Sequence, residues 1–193
     1  SLAWHTLRAH HRLGGGLLFS SAGTLAAGST TLPVYEIYKV GLDLHWAPGL
    51  NLLGDYGLEV LFVSHWNNTD GGAALDTSRC YMGADRFGRL LDQLPPSSAR
   101  ALVGIEEKTA LCVDFAQARC TVLGAGGVVV QRAGRDQYFG RRSSFSLYEL
   151  GELRLPAGGE GLPETVWLES AAARVQRNTT AAAAVPAEVE ELV

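Results

Sequence analysis

Residues 57–66 (GLEVLFVSHW) set Leu, Val and Phe side by side with little polar interruption before His65. A short run this rich in β-branched and aromatic residues reads as a buried strand, and a buried strand requires further elements to cover it. At 193 residues the chain is long enough for one domain with a real core. Around that strand the pattern alternates. An amphipathic helix over 2–13 stops at three glycines, 14–16, and a very short apolar run at 17–19 enters a sharp turn at 20–23 and a small-residue helix over 24–28. Residues 32–56, with two prolines and several glycines, read as short elements joined by turns. Residues 67–83 form a long loop, 85–94 a helix closed by Pro95-Pro96, and 101–105 a strand. The runs 109–115, 119–123 and 127–131 read as a β meander, and 132–170 as irregular β-like chain. The predicted division is a domain over 1–170 followed by an alanine-rich acidic tail or packing segment over 171–193.

Composition removes several function classes. Sixteen Lys and Arg against twenty Asp and Glu give a net charge of −4, with no positive field and no arginines interleaved with aromatics, so a nucleic-acid partner is not expected. No apolar stretch is long enough to span a bilayer, and no membrane partner is expected. The three cysteines, Cys80, Cys112 and Cys120, form no C-x-x-C pair and read as reduced, mostly buried thiols. The five histidines lack H-E-x-x-H spacing, so neither a metal nor another cofactor is expected. The compartment stays open, with the cytoplasm favoured.

The chemistry-bearing feature is the serine at the sharp turn. A serine between a strand and a helix projects its hydroxyl outward, and the next backbone N–H faces the helix start, where an oxyanion is held. Ser21 has that setting, with Ala22 as the N–H donor. Gly23 is the small residue such an elbow needs after the nucleophile, whereas Phe19 departs from the small residue expected before it. A serine nucleophile requires a base that titrates near neutrality, and the strand-end His65 is the candidate. In the bland alternative Ser21 is a plain turn residue and His65 an ordinary strand-end histidine.

Five motifs then appear in one order: F-S-S-A-G at 19–23, P-G-L-N-L-L at 48–53, S-H-W at 64–66, R-F-G-R-L at 86–90 and V-G-I-E-E-K-T-A-L at 103–111. In this the chain resembles the cyanophycinase and aspartyl dipeptidase family of serine peptidases. The resemblance implies an α/β fold: a three-layer sandwich with a mostly parallel sheet and a C-terminal β meander, like the class I glutamine amidotransferases. It implies Ser21 as nucleophile, His65 as general base and an acid between them in the chain. Glu36, Asp43, Asp55 and Glu59 are the candidates, with Glu36 preferred for its short distance after the serine. Arg86 and Arg89 match arginines that line the substrate site, where a guanidinium grips a carboxylate in bidentate fashion. Glu106 is a further substrate-binding candidate, with support of the fold as its alternative role.

The expected activity is hydrolysis of short aspartyl or β-aspartyl peptides through an acyl-enzyme, with a small acidic peptide as partner. The rival is a non-catalytic or truncated relative acting as a binding or structural protein. Amide transfer is a lesser third possibility, disfavoured because no cysteine stands at the elbow. Departures from the family pattern, Val63 and Asn67-Asn68-Thr69 where it has charged residues, put the β-aspartyl-arginine unit in doubt as the specific substrate. The family carries further strands and a glycine-rich loop ahead of the elbow, and this chain starts at Ser1. The expectation is therefore the C-terminal portion of a larger domain, with a homo-oligomer or another chain as a source of the missing half.

Overall fold

The computed structural model describes residues 1–97 and 99–183. The chain divides into two compact units, Phe19–Leu155 and the pair Ser1–Leu18 with Pro156–Val193. The division expected from the sequence lies at residue 170.

In the second of these units, helix α1 (Leu2–Arg12) starts at Ser1, whose hydroxyl accepts the Trp4 N–H at 3.4 Å. It stops where Gly14 adopts φ +91° and the Gly14 and Gly15 N–H groups return to the carbonyls of His11 and His10. The run 17–19 is not a strand. Residues 14–20 carry no regular structure and Leu18 is 92% exposed, because three apolar residues with no neighbouring strand gain no ladder bonds to hold them extended.

The Phe19–Leu155 unit is mixed α and β. Its elements are α2 (Ala22–Ala26), β1 (Thr30–Thr31), α3 (Val34–Tyr38), β2 (Ala47–Pro48), a 3-10 turn (Leu52–Tyr56), β3 (Val60–Val63), α4 (Gly83–Leu91), β4 (Ala101–Ile105), β5 (Thr109–Asp114), β6 (Arg119–Gly124), β7 (Val128–Arg132), β8 (Arg135–Phe139), β9 (Ser144–Ser146) and a second 3-10 turn (Leu147–Leu150). The strand expected over 57–66 is β3, and all four of its residues are buried. β3 pairs in parallel with β4, Val60 opposite Ala101 and Val63 opposite Gly104. A parallel pair requires a crossover, and α4 supplies it.

The principal sheet runs β3-β4-β7-β8, and β3–β4 is its parallel pair. Among the described residues the other pairings are antiparallel, which corrects the expectation of a mostly parallel sheet. The meander is corrected too. β5 pairs with β6, but β7 leaves that sheet to pair with β4, and the third strand beside β6 is β9. The glycine-rich 124–127 turn allows this change of sheet: Gly124 takes φ +104°, and Glu106 at the end of β4 accepts the Gly127 N–H at 2.6 Å.

Leu61, Val63 and Leu102 form one face of the sheet and pack against Leu25 of α2, Ile37 of α3 and Phe87 and Leu90 of α4. The burial of Val60, Ala101 and Val103 accounts for the opposite face, so the run has no polar alternation because neither side meets water. Trp66 completes the cluster, with its indole edge-on to Phe87 at 5.8 Å between ring centroids. Its indole lies so close over Gly104 that a Cβ there would fall inside van der Waals contact. Gly104→Ala is therefore expected to destabilise by about 1–3 kcal/mol through overpacking. Gly88→Ala on α4, where a Cβ meets open space, should stabilise by about 0.5–1 kcal/mol. Thermal denaturation of the two variants checks the pair, and equal shifts would contradict the packing.

Residues 164–183, expected as irregular chain passing into a tail or packing segment, form helix α5 (Glu164–Ala183). It packs on α1 within their unit, where Arg12 donates to the carbonyl of Glu160 and Arg177 meets the His10 ring at 3.3 Å. Alanine has the highest helix propensity, so the text that looked like a tail is good helix. The acidic end at 184–193 lies outside the described residues. Among the described residues no helix is long and apolar enough to cross a membrane.

Candidate active site

The parallel pair β3–β4 ends at Val63 and Ile105, and two residues beyond each end stand His65 and Glu107. The Trp66 N–H bonds the Ile105 carbonyl at 3.0 Å, so the two chain exits stay side by side. Ser21 reaches the same place from α2, which packs on β3, and the buried Ser64 hydroxyl holds the Ser21 carbonyl at 3.3 Å. Three segments distant in sequence thus meet at the carboxyl ends of the parallel strands, the usual place for a site in an α/β sheet.

Ser21 Oγ lies 3.0 Å from His65 Nε2, and His65 Nδ1 lies 3.1 Å from Glu107 Oε1. A carboxylate only accepts, so Nδ1 carries the proton and donates it; in neutral imidazole Nε2 is then the acceptor for the serine hydroxyl. The chain of atoms can therefore move a proton from Ser21 to His65 while Glu107 balances the imidazolium. Ser21 has φ +49° and His65 φ +52°. Each such non-glycine residue costs about 1–3 kcal/mol, which the surrounding bonds must offset. The Ala22 N–H, first in α2, has no intrahelical acceptor and stands next to the serine.

Residues 67–82, expected as a loop, are a loop, and they carry the scaffolding for His65. Arg79, Cys80 and Tyr81 all have left-handed φ, between 55° and 67°. The Arg79 and Cys80 N–H groups bond the carbonyls of Trp66 and His65, and the Arg79 guanidinium stacks on the Trp66 indole at 3.8 Å. Asp76 begins α4 by accepting the Ala84 N–H at 2.8 Å; that bond, with those from Ser78, holds its carboxyl down at about 2. Cys80 is buried beneath the loop, and burial pushes its thiol up to about 11. Cys120 is buried as well, while Cys112 is exposed, so two of the three free thiols are buried, in line with the expectation of mostly buried thiols.

No family model matches the chain, and no curated protein does. Among solved structures the chain is similar to the crystal structure of a peptidase from an acI-B1 Actinobacterium. The identity is 19% and the TM-score 0.42, covering 65% of this chain and 43% of that one. The chain thus spans less than half the length of that neighbour. A likeness this slight carries no argument, and the chemistry rests on the site's own atoms.

The structure brings Ser21 and His65 together, and the carboxylate beside the histidine is not one of the four expected. The carboxylate on His65 belongs to Glu107, whereas Glu36 lies on α3 with its side chain exposed. Sequence distance after the serine chose Glu36; what decides is which strand ends beside β3, and that is β4. Of the other candidates, Glu59 pairs with Arg100 at 2.7 Å. Of the Glu106-Glu107 pair the sequence singles out Glu106, for substrate binding or support of the fold, and not Glu107. Glu106 accepts from the Gly127 N–H and from the Tyr138 hydroxyl at 3.3 Å, which is support of the fold. Arg86 donates to the Met82 and Tyr81 carbonyls at 2.6 and 2.9 Å, tying the loop to α4. Arg89 is exposed in the last turn of α4. Asn68, which sequence reading noted only as a departure from the family pattern, donates to Glu107 Oε1 at 2.7 Å.

Glu107 is held below the usual carboxylate range, first by the Asn68 amide and then by the His65 ring, against partial desolvation. A carboxyl more acidic in the folded than in the unfolded chain adds stability above its unfolded pKa and loses it as pH falls through the folded value. The stability advantage of the wild type over Glu107→Gln should therefore be full at neutral pH. It should shrink below the ordinary glutamate value of about 4.3. The carboxylate is a third exposed, so screening keeps the effect small. Urea unfolding of both proteins between pH 7 and pH 3 checks this, and a pH-independent difference would contradict it.

Proposed function

We propose that the chain is a serine-type hydrolase that cleaves short aspartyl or β-aspartyl peptides. The observation that carries this reading is the unbroken series Ser21 Oγ, His65 Nε2, His65 Nδ1, Glu107 Oε1, with both bonds at hydrogen-bond distance. Ser21 Oγ attacks the scissile carbonyl carbon as its proton passes to His65 Nε2, and the Ala22 N–H donates to the oxyanion. His65 then gives that proton to the departing amine nitrogen, the C–N bond breaks, and an acyl ester remains on Ser21. Water attacks the ester, losing its proton to Nε2, and the proton returns to Ser21 as the acid leaves. Glu107 orients the ring and stabilises the imidazolium throughout.

The acidic substrate class rests on the sequence resemblance, with Arg89 as the exposed guanidinium that could meet a substrate carboxylate. The same reading takes the helix-covered sheet as part of a three-layer α/β domain of the class I glutamine amidotransferase kind. Two measurements test the function: amine release from a panel of α- and β-aspartyl dipeptides, and labelling by a fluorophosphonate with the modified residue located by mass spectrometry. Label on Ser21 with dipeptide cleavage is the expected result. Label on Ser21 without cleavage of any panel member overturns the substrate class and keeps the nucleophile. Absence of label overturns the hydrolase reading.

A further inference from the structure

The Glu107 carboxylate has two oxygens, and only one of them serves His65. Oε1 accepts from His65 Nδ1 at 3.1 Å and from Asn68 Nδ2 at 2.7 Å. Asn68 is 2% exposed, so no bulk water can replace its bond. Its own orientation is fixed by chemistry. Nδ2 donates to Asp70 Oδ2 at 2.9 Å as well as to Glu107, and Oδ1 accepts the Asp70 N–H at 3.1 Å. Turning the amide over would aim its oxygen at two carboxylates and its NH2 at an N–H, losing all three bonds. Asp70 is steadied in turn by the Tyr81 hydroxyl at 3.2 Å, and the Glu107 backbone is gripped by the neighbouring Asn67, whose Oδ1 accepts the Glu107 N–H at 2.9 Å.

We infer that Asn68 is a positioning residue that holds an acceptor oxygen of residue 107 against His65 Nδ1, and so keeps the imidazole in the orientation in which Nε2 can accept the Ser21 proton. The inference deepens the hydrolase reading and rests on it for its kinetic consequence. Its structural content stands apart. A free carboxylate end turns about its last torsion with little preference; a buried amide that can only donate towards it keeps one oxygen in place. The effect passes from Asn68 through Glu107 to the imidazole, and Asn68 itself touches neither serine nor substrate.

The distinguishing case is Glu107→Gln, where the two ends of the side chain are no longer equivalent. With Asn68 present, the amide oxygen of the introduced glutamine is drawn to the Asn68 donor and so also faces His65, leaving Nδ1 protonated and Nε2 free to accept. With Asn68→Ala added, nothing prevents the NH2 of that glutamine from turning to the ring and moving the proton to Nε2. The 15N shifts of the His65 ring nitrogens report the tautomer without any need for activity. The expected result is the Nδ1–H form in the wild type and in Glu107→Gln, and its loss in the double variant. The Nε2–H form in Glu107→Gln with Asn68 intact overturns the inference, and this arm needs no variant at residue 68 to fold. In the hydrolysis assay Asn68→Ala alone should lower kcat about 10–100-fold, as loss of a supporting hydrogen bond commonly does, with KM little changed. A lowered unfolding midpoint with unchanged kcat would mark a merely structural role and overturn it as well. If Ser21 takes no fluorophosphonate label, the hydrolase reading fails while the tautomer comparison still decides this one.

Discussion

Ser21→Ala is expected to lower kcat for dipeptide hydrolysis on the order of 10^6-fold, because loss of the nucleophile disables the whole relay. Background catalysis from the Ala22 N–H and from substrate binding should remain. The unfolding midpoint should hardly move. The serine hydroxyl is exposed, its backbone bonds to Thr24, Leu25 and Ser64 do not involve the side chain, and alanine meets the same φ of +49°. Ser21→Gly separates strain from chemistry: activity is lost equally, while glycine tolerates positive φ and stability should rise by about 1 kcal/mol. Steady-state kinetics beside thermal unfolding of both variants measure the two effects. Hydrolysis that survives in either one would remove Ser21 from the mechanism.

Glu107→Ala is the second large effect, with an expected fall in kcat of about 10^4-fold. Without the carboxylate the imidazole loses both the partner that keeps the proton on Nδ1 and the negative charge that stabilises the imidazolium. Glu36→Ala should leave kcat within a factor of about two, since that side chain lies exposed on α3 and no bond joins it to His65. The comparison is decisive because the two variants remove the same group from two places. A large loss at Glu36 with none at Glu107 would return the acid to the position that sequence distance suggested.

Much of the local structure is legible without coordinates. The apolar run of β3, the glycines that stop α1 and the apolar stripe of α4 are all written in local text, where periodicity and capping chemistry act within a few residues. So is the pairing of Ser21 with His65, since a turn serine before a short helix and a histidine at a strand end are each positioned by their own element. Two readings fail, and a third stays open between tail and packing segment, for a common reason. The run 17–19 looks like a strand but has no neighbour, 127–131 looks like a third meander strand but pairs with β4, and 171–183 reads as a tail or packing segment and belongs to a helix that packs on α1. Short runs carry a propensity and no partner, and the partner decides.

The acid shows this most sharply. Glu36, Asp43, Asp55, Glu59 and Glu107 are equivalent as letters, and nothing within a few residues of any of them marks a carboxylate that will face a histidine. Glu107 does so because β4 lies parallel to β3 in the register Val63 to Gly104 and the Trp66 N–H on the Ile105 carbonyl keeps the two exits side by side, so that the side chains of His65 and Glu107 converge just past the strand ends. That register depends on the α4 crossover and on Gly104 leaving room for Trp66. Local chemistry singles out Ser21 and His65 from the sequence; the carboxylate beside the histidine, and the amide that holds it, follow from strand pairing, which brings together residues some forty positions apart through contacts that no local pattern encodes.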